Sequence, residues 1–211
     1  MIAIIDYDAG NIKSVEKALI HLGQEATVTR DAETIQNADG VILPGVGAFG
    51  DAMGKLRAYG LVDVIRRYVD SGRPFLGICL GLQLLFEGSE ESPGVEGLRI
   101  LRGQILRIPQ EKGLKVPHIG WNNLRYPRRG RLFEEIGGED AQNGSYVYFV
   151  HSYYLQAAEE EIVTATAEYG VTIHASVEKG NVFACQFHPE KSSETGMGIL
   201  RNFCRVCGLE D

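Results

Sequence analysis

In the first half of the chain, short unbroken apolar runs take turns with stretches of helical spacing. The opening MIAIIDYD is an apolar run ended by acids, and Ala3–Asp6 within it reads as a strand. Ile12, Val15, Leu19 and Leu22 follow at helical spacing, with Asn11 in place to cap that helix. Gly40–Leu43 is a second buried run, ended by Pro44-Gly45. Leu61, Ile65, Tyr68 and Val69 mark a further helix, closed by Ser71-Gly72. Pro74–Ile78 is the next run, and a helix follows Cys79. Strand and helix alternating across short links predict parallel strands in a doubly wound sheet.

The second half favours extended structure. Gln104–Ile108, Tyr146–His151, Ile162–Ala167, Thr172–Val177 and Val182–Phe187 are rich in β-branched and aromatic residues. Lys179-Gly180-Asn181 is a turn that makes the last two an antiparallel hairpin. The chain closes on a helix with Leu200, Phe203, Cys204 and Cys207 on one face. The expected fold class is therefore α/β: a single doubly wound, mostly parallel sheet with added antiparallel strands. No repeat or linker divides the sequence, so residues 1–211 are read as one domain.

Composition narrows the function classes. A chain of 211 residues, 44% of them hydrophobic and 23% charged, has the make-up of a globular domain with one buried core. No apolar stretch is long enough for a membrane span, and no basic region precedes the first run as in a signal peptide. Four cysteines without an export signal point to a reducing cytoplasm. A formal charge of −7 argues against nucleic acid or an anionic membrane as partner.

The candidate chemistry starts at 75-FLGICLGLQLLFEGS-89. Gly77 and Gly81 bracket Cys79 on the corner between a strand and a helix, the shape of a nucleophile elbow with cysteine as the nucleophile. The helix N-terminus would favour the thiolate, and the N–H of Leu80 could point at an oxygen on the attacked carbon. For a lone cysteine, burial between strand and helix is the common fate; the glycine bracket is what favours function. A base with an orienter is offered by 183-FACQFHPEKS-192, in which Glu190 can reach one nitrogen of His188 while the other faces the thiol. The turn 43-LPGVGAFGDA-52 reads as a second wall, whose backbone N–H groups at Val46 and Gly47 would complete an oxyanion hole with Leu80. His21 reads as a surface residue and His174 as structural. Cys204 and Cys207 share a core face, so no metal site is expected, and no cofactor.

Pro44-Gly45-Val46-Gly47, Gly77–Gln83 and Phe187-His188-Pro189-Glu190 together resemble the signatures of class I (triad) glutamine amidotransferases, in that family's order. The resemblance implies a flavodoxin-like fold and a Cys79 glutamyl thioester formed from glutamine with release of ammonia. It also implies that Gly47, Gln83, His151, Ser152 and Tyr153 hold the glutamine. The finer pattern, with Pro117–Asn122, Tyr148–Tyr153 and His188–Ser192, is similar to the glutaminase subunits of imidazole glycerol phosphate synthases of histidine biosynthesis. That likeness implies a heterodimer with a cyclase subunit, a separate (β/α)8 barrel, and places Trp121 and Lys191 toward it. Asp8 departs from the family, where glycine is usual, and leaves the shape of 6-DYDAGN-11 open.

A partner is also expected on chemical grounds. Ammonia released into neutral water is mostly protonated and no longer a nucleophile, so a useful glutaminase must pass it on directly. The expectation is a chain nearly silent alone and activated by the liganded cyclase through reorientation of a peptide in Gly45-Val46-Gly47. The competing readings are another amidotransferase of the class (anthranilate, purine or pyridoxal phosphate type), a non-catalytic binding subunit, and a cysteine peptidase.

Overall fold

The apolar runs pair side by side. The computed structural model describes residues 1–110, 113–137 and 145–209. Its strands are β1 (Ile2–Ile5), β2 (Ala26–Thr29), β3 (Gly40–Leu43), β4 (Phe75–Ile78), β5 (Gly88–Ser89), β6 (Gly103–Arg107), β7 (His118–Asn123), β8 (Tyr146–His151), β9 (Tyr153–Ala157), β10 (Val163–Glu168), β11 (Thr172–Lys179) and β12 (Val182–Cys185). Its helices are α1 (Ile12–His21), α2 (Ala32–Asn37), α3 (Phe49–Ala58), α4 (Leu61–Asp70), α5 (Leu80–Leu84) and α6 (Ser193–Val206).

The main sheet has the order β10-β11-β12-β4-β3-β1-β2. From β2 to β12 neighbouring strands are parallel, and β11 and β10 are added antiparallel. Alternate residues of one strand serve opposite faces. Ala3 and Ile5 pack with Ile35, Met53, Leu56 and Ile65 of α2, α3 and α4. Ile2 and Ile4 pack with Val15 and Leu19 of α1 and with Leu200 and Phe203 of α6. Both faces are covered, so these strands are apolar throughout and do not alternate. Each large side chain so buried contributes about 1.5–3 kcal/mol.

Several elements escape the sequence pattern. Edge strand β2 is only half-buried and its ATVT carries no apolar run. Helix α3 lies in part in the segment read as a glycine turn; Gly50 and Gly54, poor helix formers, mask its period. Strand β7 contains Gly120 and two asparagines, all unfavourable in strands, and is held by pairing with β8. Strands β5, β6 and β9 form a separate small sheet. Asn11 does not cap α1 with its side chain: it sits at φ 70° and makes no capping bond.

Candidate active site

The corner after β4 is built by close approach. Cys79 has φ 55° and ψ −108°, a sparsely populated conformation for a residue with a Cβ, which costs about 1–3 kcal/mol. The surrounding sheet and helix hold it there. A Cβ on Gly81 would lie 1.8 Å from the carbonyl oxygen of Leu43, and one on Gly77 would lie 2.8 Å from that of Gly81. Both glycines are therefore required by packing. The Cys79 N–H donates to the Cys185 carbonyl at 2.8 Å. Helix α5 has only 5 residues, so its dipole is a weaker support for an anionic sulfur than the sequence reading assumed.

The stronger support comes from β12. Its parallel register sets Cys185 beside Ile78, so the residues that follow each strand emerge together beyond the carboxyl end of the sheet. His188 is fully buried, and its Nδ1 lies 2.7 Å from Oε1 of Glu190, whose side chain is also buried. The contact is made through a 3-10 turn at Pro189–Lys191. The turn is tied down by Ser192, whose hydroxyl donates to the His188 carbonyl at 2.6 Å and accepts from the Tyr148 N–H at 2.9 Å. Burial alone would lower the pKa of His188. Interaction with the Cys79 sulfur and with the Glu190 carboxylate outweighs it and raises the pKa to about 9. The second ring nitrogen, Nε2, has no hydrogen-bond partner among the described residues. An imidazolium so placed is the electrostatic partner that a thiolate nucleophile requires.

Asn11 joins this constellation. Its Nδ2 donates to Glu190 Oε1 at 2.5 Å and lies 3.4 Å from His188 Nδ1. Sequence reasoning spent Asn11 on a helix cap. The only available signal was a turn-tolerant residue in the loop between β1 and α1, which does not distinguish the two roles.

A cleft of about 280 Å³ opens above the sulfur, lined by Val46, Gly47, Cys79, Leu80, Gln83, Glu91, Pro117, Val150, His151, Ser152 and Tyr153. It lies near the lower limit of small-molecule sites, which suits one small metabolite better than a peptide. Gln83 donates through Nε2 to the Tyr153 carbonyl at 3.1 Å and to Gln186 Oε1 at 2.9 Å.

The family described as "Glutamine amidotransferase class-I" matches residues 3–207. The chain belongs to this family. It is 55% identical over 202 residues to the "Imidazole glycerol phosphate synthase subunit HisH" of Moorella thermoacetica, covering 96% of this chain and 93% of that one. It is 48% identical over 206 residues to the protein of the same name from Methanothermobacter thermautotrophicus, with 98% of each covered. Its fold is similar to a solved glutamine amidotransferase, with TM-score 0.76 and 21% identity over 99% of this chain and 100% of that one.

Other features of this amidotransferase can now be placed. The Leu80 N–H is not free: it donates to the Gly45 carbonyl at 3.3 Å, so the expected oxyanion donor is occupied. Asp8, at φ 61°, accepts from Arg30 at 2.7 Å and from the Tyr59 hydroxyl, which locks the loop that its departure from glycine had left open. Trp121 is 53% exposed on β7 and is no core anchor; Lys191 is exposed as well. His21 is exposed, and His174 accepts from the Ala157 N–H at 3.1 Å in a structural role. Cys204 packs in the core under α6, and no group of metal-binding residues occurs among the described residues.

Beside the cleft, His118 Nδ1 and His151 Nε2 are 3.1 Å apart, both rings buried, and His151 Nδ1 lies 2.8 Å from the Tyr153 carbonyl. The carbonyl can only accept, so His151 carries its proton on Nδ1 and at Nε2 accepts a hydrogen bond donated by the His118 Nδ1–H. Burial lowers His118 to about 4 and His151 to about 3. Both pKa values are depressed below the unfolded value of about 6.5. The stability they confer is thus present above that pH and is lost as pH falls, at about 1.4 kcal/mol per pH unit for each. His188 has the opposite sign. Its contribution is present below about 6.5 and lost as pH rises through about 9, so it is silent in the acid window. Urea unfolding between pH 6.5 and 5 should show this decline, and a His118→Gln variant should show a shallower one. A flat wild-type profile would contradict the buried neutral pair.

Proposed function

We infer that this chain is the glutaminase subunit of an imidazole glycerol phosphate synthase, hydrolysing glutamine and supplying ammonia to a cyclase subunit. The observation that carries the reading is the agreement of relatives such as those above, each about half identical across nearly the whole chain and all bearing that subunit's name. The buried His188–Glu190 pair beside Cys79 supports the chemistry.

In this reading the Cys79 thiolate attacks the side-chain amide carbon of glutamine. The electron pair moves onto the carbonyl oxygen, and His188 donates its proton to the departing nitrogen, which leaves as ammonia. The glutamyl thioester is then hydrolysed by water that His188 deprotonates, giving glutamate and the free thiol. Glu190, held by Asn11, keeps the imidazole in register. Gly47, Gln83, His151, Ser152 and Tyr153 hold the substrate, supported by their place around the cleft. Val46, Gly47 and Leu80 supply the oxyanion donors once the Gly45 carbonyl has turned away. Residues 1–211 act as one amidotransferase domain.

The partner docks across the face bearing Trp121 and Lys191, in a one-to-one complex. Ile119 and Tyr146, also exposed on β7 and β8, give that face the apolar area a stable contact needs. A cytoplasmic location accords with cysteines kept as thiols, Cys79 and Cys185 among them. The test is to mix the chain with a histidine-pathway cyclase. A stable one-to-one complex that makes imidazole glycerol phosphate from glutamine is expected. Complex formation instead with an anthranilate, purine or pyridoxal phosphate synthase would move the chain to another branch of the family.

A further inference from the structure

Gln186 is fully buried at the first position past β12, and its N–H is fixed to the Ala175 carbonyl at 2.8 Å. Its side chain spans the gap between the cleft wall and the nucleophile. Oε1 accepts from Gln83 Nε2 at 2.9 Å, and Nε2 points at Cys79 Sγ at 3.7 Å. We propose that Gln186 is a further catalytic residue, a donor to the Cys79 sulfur whose orientation is dictated from the substrate cleft. The proposal rests on the reading of Cys79 as nucleophile.

The two ends of a side-chain amide are told apart only by their partners. Here the partners leave one solution. The Tyr153 carbonyl, 3.1 Å from Gln83, can only accept, so the NH₂ of Gln83 must face it. The second N–H of that NH₂ reaches Gln186, which must answer with its carbonyl oxygen. Gln186 then has only its own NH₂ to offer the sulfur. A group that donates and cannot accept favours the thiolate over the thiol. Gln186 thus gives the anion a donor of fixed direction. Because the relay starts at a backbone carbonyl of the cleft wall, a shift of that wall is felt at the nucleophile.

Two variants separate this role from packing. Gln186→Glu keeps the shape and replaces the donor with an acceptor; Gln186→Met keeps approximate volume and removes the donor. Both are assayed in the assembled complex with the cyclase, with thermal melting to confirm folding. The reading is the pH dependence of Cys79 alkylation by iodoacetamide, followed on the Cys79 peptide, together with kcat and KM for glutamine. The midpoint of the alkylation profile is expected to rise by about one pH unit in Gln186→Met and further in Gln186→Glu, since one unit is a tenfold change. At pH 7 alkylation and kcat should fall about tenfold or more, with KM changed less than about threefold. A folded Gln186→Met complex with the wild-type profile and kcat overturns the proposal and leaves the nucleophile assignment standing. Glutaminase activity retained by Cys79→Ala overturns both.

Discussion

Replacing Cys79 by alanine is expected to lower glutamine hydrolysis by at least about 10⁴-fold while glutamine still binds. The size of the loss follows from the division of labour in the site. Glu190 and Asn11 hold His188, which serves the sulfur, and none of the three bonds to the substrate carbon in the proposed reaction. Without the sulfur there is no thioester, and only the binding and electrostatic contributions of the cleft remain. The contacts proposed for substrate, at Gly47, Gln83 and His151–Tyr153, lie on other elements and survive the change. Cys79→Gly should be equally inactive yet more stable than Cys79→Ala, because glycine adopts φ 55° without the strain that any Cβ brings. The checks are a coupled glutamate assay on the cyclase complex, isothermal titration with glutamine, and melting curves. Appreciable turnover by either variant would mean that the nucleophile lies elsewhere.

The second large effect is activation by the partner. The free chain should hydrolyse glutamine about 100- to 1,000-fold more slowly than the complex with liganded cyclase, the range a missing oxyanion donor commonly costs. The reason is the 3.3 Å bond from the Leu80 N–H to the Gly45 carbonyl. The C=O of Gly45 and the N–H of Val46 belong to one planar trans peptide and point in opposite directions. Rotating that plane withdraws the carbonyl from Leu80 and presents the Val46 N–H in its place. Two donors thus appear in one motion. Val46 is 37% exposed and Gly47 stands at φ 100°, so the segment is accessible and bordered by a residue free of Cβ restriction. Steady-state rates of free chain, complex and liganded complex test the idea directly; equal rates would contradict it. Val46→Pro removes the N–H and should depress the liganded rate by a similar factor.

Much of this site was legible in the residues. Gly77 and Gly81 around Cys79 announced a corner, because only backbone pressed against backbone excludes a Cβ on both sides. His188-Pro189-Glu190 announced an imidazole–carboxylate pair, because proline fixes its own φ and favours a turn in which the two flanking side chains can meet. The alternation of apolar runs with helical spacing announced parallel strands, because a sheet covered on both faces has no polar side. The omissions have physical causes too. Edge strand β2 and the glycine-bearing β7 owe their form to their neighbours, and Gly50 and Gly54 dilute the period of α3.

Local order along the chain thus established the elbow, the imidazole–carboxylate pair and the layered α/β plan, since each depends on residues only a few positions apart. Assembly settled which groups meet across long separations. Asn11 turned to Glu190 and not to its own helix, the Gly45 carbonyl filled the place beside Leu80, and Gln186 came to aim at the sulfur. Such contacts join strand ends that are remote in sequence, and the register of β1, β3, β4 and β12 brings them within hydrogen-bonding reach.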